Sequence, residues 1–95
     1  MARNAFLISY DVADDKRRDR IYNTLLDFGD HVQYSVFLCE LNRMELIALQ
    51  TMLQTTINNA EDQILILHLG PPPSLETALK TLGKPYIAQT RVQII

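Results

Sequence analysis

The sequence predicts an α+β chain with helices layered on one face of a sheet. Three observations carry this. Strand-like and helix-like segments alternate within only 95 residues. Two of the extended segments are apolar on both of their faces. Only two helical segments are long enough to cover a sheet, and together they cover one face. The second face then needs another cover. The simplest is a second copy of the chain, sheet against sheet.

The first extended segment runs from Asn4 to Val12. Side chains alternate along a strand, so Ala5, Leu7, Ser9 and Asp11 point one way and Phe6, Ile8, Tyr10 and Val12 the other. Neither set is polar enough to face water, yet the run ends in a carboxylate. A charged stretch from Asp14 to Arg20 follows at once. Asp14 or Asp15 opens a helix there, because a carboxylate accepts from free N–H groups and opposes the positive end of the helix dipole. Ile21, Leu25 and Phe28, with Leu26 beside them, form its apolar stripe. Gly29 ends it, as glycine does at a left-handed cap.

His31 to Leu41 is rich in β-branched and aromatic residues and reads as extended. It fits one long strand or two short ones with a kink near Ser35. Asn42 with Glu45 three positions on begins a second helix, close to a capping box. Leu46, Leu49, Leu53 and Ile57 carry that helix to about Asn58. The segment Asn58–Glu61 is a turn, and Gln63–Leu69 a strand apolar on both faces. Gly70 and the prolines at 71–73 stop it. Ser74–Leu82 reads as a short helix capped by Ser74 and broken by Gly83 and Pro85. Tyr86–Ile95 is extended again and needs a sheet to lie on, which the neighbour's edge would offer.

Composition narrows the function. The chain is one domain over residues 1–95. Hydrophobic residues make up 47 %, an ordinary globular share, so no disordered tail is expected. A single cysteine, Cys39, rules out an intramolecular disulfide and reads as a small buried hydrophobe. No apolar run approaches the roughly 20 residues that cross a bilayer, and no secretory signal opens the chain. The expectation is a cytoplasmic protein without a membrane partner. The net charge of −2 argues against a broad basic surface. Yet four of the nine basic residues are Lys16, Arg17, Arg18 and Arg20, a patch that self-association would double.

Asp11 leads the candidates for chemistry. A carboxylate at a strand end holds a hard cation such as Mg²⁺ through oxygen. One is a weak site, and two brought together across a twofold axis make a better one, able to assist phosphodiester cleavage. The rival role is an acceptor for turn N–H groups. Arginine grips phosphate with a planar fork. Arg18 lies above Tyr22 on the helix wheel and leans toward the sheet, with an ion pair to Asp11, Asp14 or Asp15 as its rival role. Arg20 lies further toward solvent, and a solvated face is the rival for Arg17 and Arg20. His31, His68 and Cys39 show no zinc-type spacing, and no phosphate-loop or G-x-S-x-G pattern is present.

Taken together, Tyr10-Asp11-Val12, the stretch from Asp14 to Arg20, Gln33-Tyr34-Ser35-Val36-Phe37 and Leu82-Gly83-Lys84-Pro85 resemble the CRISPR-associated protein 2 family. The similarity runs over nearly the whole chain, in order and spacing. It implies a ferredoxin-like antiparallel sheet in a symmetric homodimer, with a strand within residues 83–95 extending the neighbour's sheet. It implies capture of new CRISPR spacers on duplex DNA beside the adaptation integrase, and metal-dependent nuclease action on RNA or DNA with Mg²⁺ or Mn²⁺. Carried onto this chain, Asp11 holds the metal and is catalytic together with Tyr10. Arg18, Arg20 and Phe37 shape the site or contact nucleic acid, with Arg17 in the same basic patch. His31 stands where a basic residue is common. A ribonuclease toxin of similar fold and a non-catalytic regulatory module are the alternatives.

Overall fold

The computed structural model describes residues 2–72 and 79–86. Its elements in chain order are β1 (Asn4–Asp11), α1 (Asp15–Leu26), β2 (Gly29–Gln33), β3 (Val36–Leu41), α2 (Arg43–Thr56) and β4 (Gln63–Gly70). The strands pair antiparallel in the order β2-β3-β1-β4. Each helix crosses over one intervening strand, which is the ferredoxin-like connection. β1 is therefore central, bonded to β3 on one edge and β4 on the other. No described helix is long and apolar enough to cross a membrane.

Both helices pack on one face of the sheet. Phe6, Ile8, Tyr10, Val12, Phe37, Cys39 and Leu41 meet Ile21 and Leu25 of α1 and Leu49 and Leu53 of α2 there. Strand alternation puts Leu7, Ser9, Asp11, Val36, Leu38, Leu65 and Leu67 on the other face. Leu65 and Leu67 remain 57 % and 54 % exposed. The expectation that two helices leave one apolar face of the sheet without a helical cover is thus met among the described residues.

The helix starts match the capping expectations. Asp14 caps α1 by accepting from the Arg17 N–H at 2.9 Å. At α2 a complete capping box forms, with Asn42 and Glu45 exchanging side chain to backbone bonds at 2.8 and 2.9 Å. The ends differ more. α2 stops at Thr56. The extended stretch is two strands, and the two-residue turn between them gives Tyr34 a φ of 42°. Gly29 is not a left-handed cap: α1 closes on Asp27 in right-handed geometry, and Gly29 opens β2. Glycine is needed there for another reason. A Cβ on it would lie 2.4 Å from both Cys39 Sγ and the Leu38 carbonyl.

In the expected helix of 74–82, Leu79, Lys80 and Thr81 form no regular element and Leu82 is a bend, 94 % exposed. A short helix needs an apolar face buried against something, and the exposed Leu82 has no such seat. Residues 73–78 and 87–95, the latter holding all but Tyr86 of the expected terminal strand, lie outside the described residues.

Gly29→Ala is expected to destabilise the fold by about 1–3 kcal/mol, as overpacking against backbone does. A thermal melt checks this, and an unchanged Tm would show that β2 and β3 can separate without strain.

Candidate nucleic-acid interface at the end of the first strand

Four segments meet at one end of the sheet: the C-terminus of β1, the N-terminus of α1, the β2–β3 turn and the start of β4. The register places Asp11 opposite Gln63, and the Tyr10 N–H donates to the Ser35 carbonyl at 3.1 Å. Asp11 is exposed on the helix-free face. Among the described residues its carboxylate has no hydrogen bond or ion pair, so the rival role as a turn acceptor is not seen there.

The loop after Asp11 is held from two sides. Arg18 donates through Nε and Nη2 to the Val12 carbonyl at 3.2 and 3.1 Å. Its Nη1 pairs with Asp15 at 2.7 Å, one of the partners expected for it. From the other side Asp62 accepts from the Ala13 N–H at 3.0 Å and the Asn58 N–H at 2.8 Å. Asp62 also takes two bonds from Arg17, at 2.8 Å from Nε and 3.2 Å from Nη2. Four donors fill the acceptor capacity of one carboxylate. The side chain of Asp62 is fully buried, while that of Arg17 is 21 % exposed and also reaches Glu61 at 2.9 Å. The Arg17 guanidinium holds the Asp62 carboxyl far below the usual carboxylate range despite burial. The same bond raises Arg17 above its already high value.

The basic patch therefore divides. Arg17 is mostly covered and spends its guanidinium on Asp62 and Glu61; it ties α1 to the α2–β4 connection. Arg18 braces the β1–α1 loop. The side chains of Lys16 and Arg20 form no ion pair or hydrogen bond among the described residues. They are the cations of the patch whose charge is not spent on a partner there.

Two other expected site residues lie on the far side of the sheet from Asp11. Tyr10 is 6 % exposed with its ring 6.3 Å from Phe37, and burial raises its phenol above the ordinary value. It stays protonated at neutral pH. Phe37 is fully buried, among Tyr10, Tyr22 and His31. Phe37, expected to shape the site or contact nucleic acid, is core in the chain, because its strand position alternates inward. His31 sits edge-on to Tyr22, and its Nε2 donates to the Tyr34 carbonyl at 2.5 Å.

Sequence reasoning missed Asp62. The signal was faint: an acidic pair, Glu61-Asp62, just before a strand that would return beside β1. It becomes meaningful only once β1 and β4 are known to be antiparallel neighbours.

The family model for "CRISPR associated protein Cas2" matches residues 4–73. The CRISPR-associated endoribonuclease Cas2 1 of Rhodospirillum rubrum is 35 % identical over 99 % of this chain and 92 % of its own length. The CRISPR-associated endoribonuclease Cas2 of Geobacter sulfurreducens is 33 % identical over 95 % of each. Among solved structures, Streptococcus pyogenes Cas2 superposes with a TM-score of 0.75 at 28 % identity, covering 83 % of this chain and 99 % of that one.

Asp62 contributes stability that is complete above the ordinary carboxylate value of about 4 and is lost as pH falls through its depressed folded value. Asp62→Asn should therefore melt below the native protein at neutral pH, and the gap should shrink steadily below about pH 4. Thermal melts across pH check this. A gap independent of pH would mean that packing, not charge, holds the loop.

Proposed function

The chain belongs to the family of CRISPR-associated protein Cas2, and from that membership we propose that it is a dimeric nucleic-acid-binding protein of spacer acquisition with phosphodiester-cleaving chemistry at Asp11. One observation carries the reading. Asp11 ends a central strand on the face where Leu65 and Leu67 stay exposed, and its carboxylate is unengaged among the described residues. A second copy packed on that face covers the leucines and brings two Asp11 side chains toward one twofold axis.

A Mg²⁺ or Mn²⁺ ion fits this donor, since Asp11 offers exposed anionic oxygen. One chain supplies too little alone: no group of three or more His, Cys, Asp or Glu comes together among the described residues. The copy's Asp11 would complete the pair, with water and substrate phosphate filling the remainder. Such a cation, when bound, neutralises phosphate charge and activates water.

The chain's own residues supply the frame. Arg18 and Asp62 fix the backbone immediately after Asp11, so the carboxylate starts from a rigid loop. Lys16 and Arg20 supply positive charge for the phosphates. Protonated Tyr10 is a wall of the core and no general base. The relatives named as endoribonucleases support RNA as a substrate. The duplex-bridging role and the integrase partner belong to the same proposal through the family.

With labelled RNA and duplex DNA in Mg²⁺ or Mn²⁺, Asp11→Ala should abolish cleavage and leave duplex binding within about twofold. Cleavage retained in a rigorously purified Asp11→Ala protein would remove Asp11 from the chemistry. In the same assay Lys16→Ala with Arg20→Ala should weaken duplex binding and flatten its salt dependence, whereas Arg17→Ala should leave the slope unchanged.

A further inference from the structure

Tyr34 occupies the first position of the two-residue turn between Gln33 and Val36, which face each other in the register. Its φ of 42° lies in the left-handed region, where a bulky aromatic residue is rare. A hairpin turn with positive φ at its first position ordinarily places glycine there. Tyrosine is strained at this point and gains nothing from burial, since it is 92 % exposed. Such outliers persist where surrounding structure holds them, and they gather at functional sites.

The surroundings do hold this one. His31 donates to the Tyr34 carbonyl. His31 is itself seated against Tyr22 at 5.1 Å and Phe37 at 5.0 Å. The next carbonyl, of Ser35, accepts from the Tyr10 N–H. An exposed ring thus stands on a held base, next to the residue that bonds the strand ending in Asp11. An open groove of about 710 Å³ starts at the residues just before Tyr34, lined by His31, Gln33, Lys80, Lys84 and Tyr86 among others. Lys80 and Lys84 form no ion pair among the described residues.

An exposed aromatic face next to a lysine-lined groove is the pattern that binds single strands: phosphates follow the groove, and an unpaired base stacks on the ring. We propose that Tyr34 is a stacking platform for an unpaired nucleobase, with the strand running past Lys84 and Lys80. The inference rests on the nucleic-acid reading above and narrows it, because base pairs inside a duplex offer no free face to Tyr34. Stacking is indifferent to base identity, so the platform selects for strandedness and not for sequence.

Fluorescence anisotropy with labelled single-stranded RNA and DNA oligonucleotides, and their duplexes, tests this on the full chain. Tyr34→Ala and Tyr34→Gly should weaken single-strand binding about tenfold or more, with the salt slope and duplex binding unchanged. Tyr34→Phe should retain it. Lys80→Ala with Lys84→Ala should lower the single-strand salt slope. Tyr34→Gly relieves the positive φ and should melt no lower than the native protein, so its loss of binding is not a loss of fold. Native-like single-strand binding by Tyr34→Ala and Tyr34→Gly, or an equal loss on duplex, overturns the inference alone. A native protein that binds neither single strands nor duplex overturns it together with the reading it rests on.

Discussion

A central strand has no spare surface. β1 is hydrogen-bonded along both edges, and its apolar residues must be covered on both faces. The helices satisfy one face with Phe6, Ile8 and Tyr10. The other carries Leu7 toward Leu67 and Leu38, and then Asp11. That single requirement orders the molecule. It places the helices together, leaves Leu65 and Leu67 of β4 in water, and puts the carboxylate at the rim of the same uncovered face. Covering the exposed half of each leucine is worth on the order of 1 kcal/mol, so the face favours a cover of matching shape. The second copy proposed above is such a cover, and it would turn a lone carboxylate into a pair.

The rim itself is built by division of labour among charges. A cluster of four cations looks like a phosphate site until each is followed to its partner. Arg17 is consumed by Asp62 and Glu61, and Arg18 by the Val12 carbonyl and Asp15. These two make the loop after Asp11 rigid. Lys16 and Arg20 keep their charge available. Bracing of the loop after Asp11 and the proposed attraction of a polyanion thereby fall to different residues of one short stretch.

Much of this was legible in the sequence because it is local. Alternation in Asn4–Val12 separates Asp11 from Tyr10, and the strand–helix order points to the layered sheet. Asn42 and Glu45 announce the capping box three residues apart. What was not legible depends on partners distant in sequence. The need for glycine at position 29 comes from Cys39 across the sheet, not from a helix end. The fate of Arg17 is decided by Asp62, 45 residues away. Phe37 carries no mark that distinguishes a core aromatic from a stacking one, whereas Tyr34, beside it in the same motif, takes the exposed position. That inversion is set by hairpin register, which the run of extended residues leaves open.

What covers the helix-free face decides whether two Asp11 carboxylates meet, and sedimentation equilibrium measures this directly. The native chain should sediment at twice its monomer mass, and a Leu65→Glu, Leu67→Glu variant at the monomer mass with its secondary structure retained. A native protein that is monomeric with both leucines in water, or a variant that remains dimeric, would contradict the account, since the two Asp11 carboxylates would then have no shared axis on that face.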